Sequence, residues 1–332
     1  MNVNSSEEQM LLEGNLRPQT WDQYIGQSRV KKNLQIIIEA AKQRGDSLEH
    51  LLFYGNPGLG KTTLAQVVAH TMAGELKTCS APTLEKTGDV ASLLTNLQDG
   101  DILFMDECHR LHKTVMETLY SAMEDFKLNI IMGRGPMART MELNLPKFTL
   151  IGATTRMALL PAPFRNRFGA IFQLNFYENR DIEAIVQRSS SILGIPVDYG
   201  AIQAIATRAR FTPRVANRIL KRVRDYATIE ANEPRITEEV ALKAINFLEI
   251  DELGLEAGDR KILETMVNKF GGGPVGIQTL AAAAAEEPDT IYDIYEPYLL
   301  QLGFIERTPR GRVMAPLAYK HLGIQQSQNE LL

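Results

Sequence analysis

The segment Gly55-Asn56-Pro57-Gly58-Leu59-Gly60-Lys61-Thr62 constrains this chain more than any other. It matches G-x-x-x-x-G-K-[ST] at every fixed position. Leu51, Leu52, Phe53 and Tyr54 precede it, and residues 63–73 after it are apolar at helical spacing. A short apolar run closed by a glycine predicts a buried parallel strand. In a strand–loop–helix unit, backbone N–H groups curl around phosphate oxygens at the positive end of the helix dipole. Gly58 and Gly60 allow the close approach, Lys61 can reach the β- and γ-phosphates, and the Thr62 hydroxyl can ligate Mg²⁺. Thr63, next on the helix, joins the nucleotide-binding set. A chance match in a glycine-rich turn would lack the flanking strand and helix. ATP and Mg²⁺ are the cofactors this pattern implies.

Asp106 and Glu107 follow the apolar run 102–105, which places them at the carboxyl end of a second strand. Ligands of open α/β sheets bind at those ends. One carboxylate, Asp106, can hold the magnesium shell with Thr62, while its neighbour orients and deprotonates the attacking water. Two adjacent carboxylates could instead close an exposed turn, but the phosphate loop upstream favours the catalytic reading. Cys108, His109 and His112 lie beside the pair. Their spacing fits no standard zinc site, and a fourth ligand is missing. Cys108 reads as a small packing residue.

Further apolar runs predict strands at 148–151 and 172–176, and helices at about 20–50 and 114–126. Leu128, Ile130 and Met132, then Met141, Leu143 and Leu145, alternate on either side of Gly133-Arg134-Gly135-Pro136, as in an inserted β-hairpin. Strands alternating with helices imply a parallel sheet covered on both faces. After Asn179 the pattern turns purely helical, at 181–194, 198–210, 213–231 and 237–248. Residues 251–258 are acidic with two glycines and read as a boundary. Helices at 259–270, 277–285 and 290–302 follow, then strands at 304–307 and 312–315 about a Pro-Arg-Gly turn. The third of these helices is expected to align Ile291, Ile294, Tyr295, Tyr298, Leu299 and Leu302 on one face. Three helices and a two-stranded wing describe a winged helix-turn-helix. The expected fold class is therefore α/β: a P-loop NTPase domain with a parallel sheet (1–180), a small helical lid (181–254) and a C-terminal winged-helix head (255–332).

Three groups of arginines stand out. Arg165 and Arg167 precede the last sheet strand. A loop arginine there can act as a finger on a transferring phosphoryl group, sometimes on a neighbouring subunit, or form a surface ion pair of little worth. Thr212-Pro213-Arg214 reads as a helix start with Thr212 as N-cap and Pro213 at the first position. Arg214 then sits where the helix dipole disfavours a cation by about 0.3–1 kcal/mol, and a phosphate would reverse that sign. Arg218, Lys221, Arg222 and Arg224 on the same helix fit a solvated basic face. Arg307, Arg310 and Arg312 flank the wing turn, where they suit phosphate contacts along a duplex, although winged helices also bind proteins.

The net charge of −4 excludes a chain coated in basic surface but not a local basic patch. The start, MNVNSSEEQM, lacks the basic and apolar parts of a signal peptide. No stretch approaches the roughly 18–20 apolar residues of a membrane helix. Cys79 and Cys108, the only cysteines, cannot build a disulfide scaffold. A cytoplasmic location and no membrane partner are the resulting expectations.

GNPGLGKTT, LFMDECHRL, LIGATTR, FRNRFG, RFTPRVANRILKRVRDYA, FGGGPVGIQTLAAA and RTPRGR occur in this order. With these motifs the chain resembles the bacterial RuvB family, AAA+ motors of Holliday junction branch migration, from about Leu16 to Gly323. The first two motifs are shared by all AAA+ proteins, whereas GGPVG and RTPRGR are far more specific. The resemblance implies a homohexameric ring around double-stranded DNA at a four-way junction, with RuvA as partner and RuvC joining in a resolvasome. It implies that Arg167 is a finger acting in trans, that Arg214 is sensor 2, and that Thr155, with Thr154 as the alternative, is sensor 1. It places Leu16, Arg17 and Tyr177 around the nucleotide, the 128–145 hairpin against RuvA, and Arg307 and Arg312 on DNA. Asn56 stands where the family usually has proline, and Cys108 where it has isoleucine. Neither position supplies an essential donor or ligand.

Two other functions compete with the branch-migration motor. One is a clamp-loader-like or protein-remodelling ATPase whose head binds protein. The other is a nucleotide-dependent transcription regulator. No second enzymatic domain or receiver domain supports either.

Overall fold

Leu51, Leu52 and Phe53 are fully buried on an inner strand of a parallel sheet. The computed structural model describes residues 16–132, 139–233 and 235–324, and divides them after Tyr177 into two compact units. The first unit contains strands β1 (Leu51–Tyr54), β2 (Leu76–Ser80), β3 (Ile102–Asp106), β4 (Lys127–Met132), β5 (Arg139–Asn144), β6 (Thr149–Thr154) and β7 (Ala170–Gln173). Its helices are α1 (Ser28–Arg44), α2 (Lys61–Met72), α3 (Thr87–Thr95), α4 (Lys113–Glu124) and the single turn α5 (Ala162–Arg165). The main sheet runs β2-β3-β6-β1-β7, with every pairing parallel. One core cluster joins Leu52, Leu103 and Met105 of the sheet to Leu119 of α4 and to Phe148 and Phe164. Burying side chains of this size contributes about 1.5–3 kcal/mol each.

The hairpin lies outside this sheet. β4 and β5 pair antiparallel with Leu128 opposite Leu143, and Leu128 and Leu145 anchor its base in the main core. Lys127 Nζ meets Glu142 Oε1 at 2.7 Å across the two strands. The expected turn, 133–138, lies outside the described residues.

Two expectations need correction here, and two elements went unexpected. The helix expected over 20–50 spans only Ser28–Arg44, because Gln27 and Gly45 at its two ends both take left-handed backbone. The last strand is Ala170–Gln173 rather than 172–176, since β7 must register with β1 and Phe172 pairs with Phe53. β2 escaped notice because LKTCS forms an edge strand whose side chains are only partly buried. α3 escaped with it.

The second unit opens with α6 (Asn179–Ile192), α7 (Tyr199–Thr207), α8 (Pro213–Tyr226) and α9 (Glu238–Phe247). Thr212 caps α8 as expected, accepting the Val215 N–H at 3.4 Å. Ala216, Ile219, Leu220 and Val223 form its buried face. Then come α10 (Ala257–Phe270), α11 (Ile277–Ala284), the turn α12 (Pro288–Thr290), α13 (Glu296–Gln301), β8 (Ile305–Thr308), β9 (Gly311–Met314) and α14 (Pro316–Leu322). The sequence reading missed α14. It also put Ile294 on the buried face, whereas Ile294 is 57% exposed. A π-helical turn at Ile291–Tyr295 inserts an extra residue, and Glu296 takes an inward position beyond it.

Arg210 and Phe211 tie the two helical groups of this unit together. Both have positive φ, which is uncommon outside glycine. The buried Arg210 guanidinium donates to Gly254 O at 2.9 Å and pairs with Asp259 of α10. Phe211 packs against the α10–α14 core and meets the Tyr298 ring at 6.2 Å. Arg218 of α8 pairs with Glu256.

His50, just before β1, holds two core segments. The Leu150 N–H donates to His50 Nδ1 at 2.9 Å, so the ring proton is on Nε2, which donates to Met123 O at 3.0 Å. Burial lowers the imidazole pKa below its ordinary 6.5, outweighing the Met123 contact that raises it. Protonation would set an Nδ1–H against the Leu150 N–H. The unfolded chain therefore takes up this proton at a higher pH than the folded chain. His50's contribution to stability is full above pH 6.5 and is lost as pH falls below it. In urea titrations, His50→Leu should cost roughly 1–3 kcal/mol at pH 7.5 by leaving buried partners unpaired. The gap from wild type should narrow at pH 5.5, and a constant gap would refute this account.

Candidate functional site

The loop between β1 and α2 folds as a phosphate cradle. Gly55, Gly58 and Gly60 all have positive φ. A Cβ on Gly55 would lie 2.5 Å from Leu174 O, and one on Gly60 would come within 3.3 Å of the Tyr24 hydroxyl. α2 begins at Lys61, so the N-terminal, positive end of the helix meets the loop. The Lys61 ammonium, only 8% exposed, donates to Gly55 O at 2.7 Å and Asn56 O at 3.1 Å. Thr62 and Thr63 are half-buried on the first turn. The Tyr177 hydroxyl donates to Leu59 O at 3.2 Å, bracing the loop from the end of the first unit. Leu16 is buried and Arg17 exposed.

Asp106 ends β3, and its Oδ1 accepts the Glu107 N–H at 3.0 Å. Glu107 turns into left-handed backbone at φ 52. Non-glycine residues pay for that conformation, and such residues cluster at functional sites. Glu107 Oε2 accepts the Thr155 hydroxyl at 3.3 Å and lies 3.2 Å from His109 Nδ1. Thr154 is fully buried, with its Oγ1 2.9 Å from the same His109 nitrogen. Cys108 packs in the main core, where burial above all, and then the Glu107 charge, push its thiol pKa far up.

Arg167 is only 19% exposed in its side chain. It lies over the Tyr120 ring at 4.1 Å and donates to Pro163 O at 2.6 Å and Glu124 Oε2 at 3.2 Å. All these partners are outside the phosphate loop. Arg165 ends the turn α5.

In the second unit, Arg214 is exposed in the first turn of α8. On the basic face beyond it, Arg218 pairs with Glu256, and Arg222 and Arg224 share Asp225. The wing holds a different arrangement. Arg307 and Arg312 stand directly opposite each other on β8 and β9, where like charges repel. The fully buried Glu296 carboxylate resolves the conflict. Arg307 Nε donates to Oε1 at 2.8 Å, while Arg312 donates to Oε1 at 2.9 Å and to Oε2 at 3.2 Å. The Arg307 guanidinium also covers the Tyr292 ring at 4.7 Å. Burial works to raise the Glu296 pKa, but the two arginines outweigh it and hold the carboxyl below its ordinary value. Arg310 is exposed at the turn.

Comparison with known proteins accounts for all three parts. The model of the Holliday junction DNA helicase RuvB P-loop domain matches residues 16–174. The RuvB AAA lid domain matches 177–251, and the RuvB C-terminal winged helix domain 252–323. The Holliday junction branch migration complex subunit RuvB of Dehalococcoides mccartyi is 56% identical over 94% of this chain and 89% of its own. The chain belongs to the RuvB family. The RuvB subunit of Chloroflexus aggregans is 54% identical over 98% of this chain and 92% of its own. The solved Thermotoga maritima RuvB Holliday junction branch migration motor superimposes with a TM-score of 0.86 at 46% identity. It covers 94% of this chain and 99% of that one.

Within this RuvB framework the structure brings Lys61, Thr62, Thr63, Gly58, Gly60 and Tyr177 to one loop. Asp106, Glu107 and Thr155 come together at the ends of neighbouring strands. Glu296 was missed because a lone Glu in a helix carries no pattern. Tyr24 was missed because its contact with Tyr177 spans 153 positions. His109 was weighed only as a metal ligand.

The wing geometry generates a prediction about stability. Arg312→Ala removes two of the three bonds to the buried carboxylate and should cost roughly 1–3 kcal/mol in chemical denaturation. Arg310→Ala should stay within about 0.5 kcal/mol of wild type. Equal effects would mean that Glu296 does not organise the wing.

Proposed function

We propose that this chain hydrolyses ATP with Mg²⁺ and drives Holliday junction branch migration as a homohexameric ring with RuvA. One observation carries the reading: the phosphate loop, Asp106, Glu107 and Thr155 share one edge of the sheet, in a chain more than half identical to branch migration complex subunits. In this reading Glu107 positions the attacking water, Lys61 neutralises charge on the phosphates, and Thr155 is sensor 1. Thr62 and Asp106 offer the oxygen ligands that Mg²⁺ prefers. When bound, the ion would neutralise charge on the β- and γ-oxygens. Leu16, Arg17 and Tyr177 surround the nucleotide.

Arg167 serves the neighbouring subunit's ATP, in keeping with the absence of loop residues among its partners. Arg214 is sensor 2, an exposed cation where the helix dipole disfavours one. Three domains carry the work, at 1–180, 181–254 and 255–332. The 128–145 hairpin docks RuvA, and the wing arginines Arg307, Arg310 and Arg312 contact duplex phosphates. Hydrolysis moves lid and head relative to the large domain and pulls DNA through the ring. The setting is the cytoplasm, where RuvC joins the complex. No described helix is long and apolar enough to cross a membrane.

The test is to mix the chain with RuvA, ATP, Mg²⁺ and a synthetic four-way junction, and to follow the release of duplex products. ATP turnover without products at any protein concentration would exclude the branch-migration reading. Lys61→Ala should abolish both activities. Arg167→Ala should also abolish hydrolysis, and mixing it with Lys61→Ala subunits should restore part of the turnover. A mixture as inactive as its two components would rule out action in trans.

A further inference from the structure

His109 follows the acidic pair in the 3-10 turn Cys108–Arg110, and its side chain is only 7% exposed. Its Nδ1 faces two oxygens, Thr154 Oγ1 at 2.9 Å and Glu107 Oε2 at 3.2 Å. Thr154 Oγ1 also accepts the Arg156 N–H at 3.0 Å. An ionised carboxylate oxygen would be repelled by a lone pair at 3.2 Å. The tautomer that fits therefore carries its proton on Nδ1, directed at the Thr154 hydroxyl with the carboxylate beside it. Glu107 needs such partners. At φ 52 its backbone has left the strand, so sheet hydrogen bonding no longer aims its side chain. The Thr155 hydroxyl donates to its Oε2, and His109 Nδ1 lies 3.2 Å from the same oxygen.

We infer that His109 is a positioning residue for the attacking water's base: it holds Glu107 Oε2 and links that carboxylate to Thr154 at the end of β6. The inference rests on the ATP hydrolysis proposed above. A carboxylate that loses a neighbouring polar contact samples unproductive rotamers, and misplacement by about 1 Å can cost up to a hundredfold in rate. Nucleotide affinity, carried by the loop and Lys61, should change little.

The experiment measures kcat, KM for ATP and the melting temperature of the full chain for wild type and three variants. His109→Asn places an amide N–H close to the Nδ1 position, whereas His109→Gln carries its amide towards the Nε2 position. His109→Ala should lower kcat at least tenfold with KM within threefold of wild type. His109→Asn should recover kcat to within threefold of wild type, and His109→Gln should stay close to the alanine level. A kcat for His109→Ala within twofold of wild type would overturn the inference. So would equal recovery by Asn and Gln, or no recovery by Asn in a protein with unchanged melting. If the alanine variant does not fold, the Asn and Gln comparison decides alone. Thr154→Val should lower kcat through the same link, and in combination with His109→Ala should add no further loss, whereas fully additive losses would refute the coupling. Wild type that fails to hydrolyse ATP would instead count against the proposed function, so the two failures are distinguishable.

Discussion

Parallel strands all end on the same edge of their sheet, and the nucleotide site depends on that constraint. β1 runs into the phosphate loop, β3 into Asp106 and Glu107, and β6 into Thr154 and Thr155. Because β6 lies between β3 and β1, its end stands beside the acidic pair on one side and next to the strand that feeds the loop on the other. The interstrand backbone hydrogen bonds that set this register bring the groups together. The apolar residues at the centre of the sheet hold that register, and they lie in the same core as α4 and the base of the hairpin.

Two buried carboxylates in the second unit show how the balance of charge and burial can fall either way. Asp259 has one close guanidinium partner, Arg210, and burial wins, pushing its pKa above the ordinary value. Glu296 has two, Arg307 and Arg312, and they prevail over burial. A buried ion pair is weak evidence for stability, because desolvation can cancel the attraction. What these pairs provide is geometry. Asp259 ties the segment before α8 to α10, and Glu296 fixes two like-charged side chains side by side on a wing that would otherwise splay them apart.

Much of this was legible in the sequence, for reasons that differ by element. The loop, β1 and α2 could be read because glycine spacing and an apolar run are local signals. The helices of the second unit showed their 3.6-residue period, and Thr212-Pro213 marked the start of α8 correctly. β2 was hidden because an edge strand needs no apolar run, and β7 was misplaced because its limits depend on register with β1. The face of the helix before the wing was misread at Ile294, since a π-turn shifts periodicity by one residue without any sequence mark. In the site, residue types were visible but partners were not. Glu296, Tyr24 and His109 gain their roles only from contacts made across the fold.

The two adjacent threonines at the end of β6 make the same point more sharply. Composition could not separate Thr154 from Thr155, because both carry a hydroxyl at the edge of the sheet. Successive residues on an extended chain point in opposite directions, so the two hydroxyls cannot do the same job. Thr155 reaches the Glu107 carboxylate itself, while Thr154 turns inward, is fully buried, and meets His109. Yet His109 Nδ1 lies against the same carboxylate oxygen that Thr155 holds. The end of β6 therefore bears on Glu107 by two routes, one direct and one through the imidazole. A small shift of that strand end would disturb both at once, which makes the carboxylate sensitive to strand position in a way that one hydrogen bond would not.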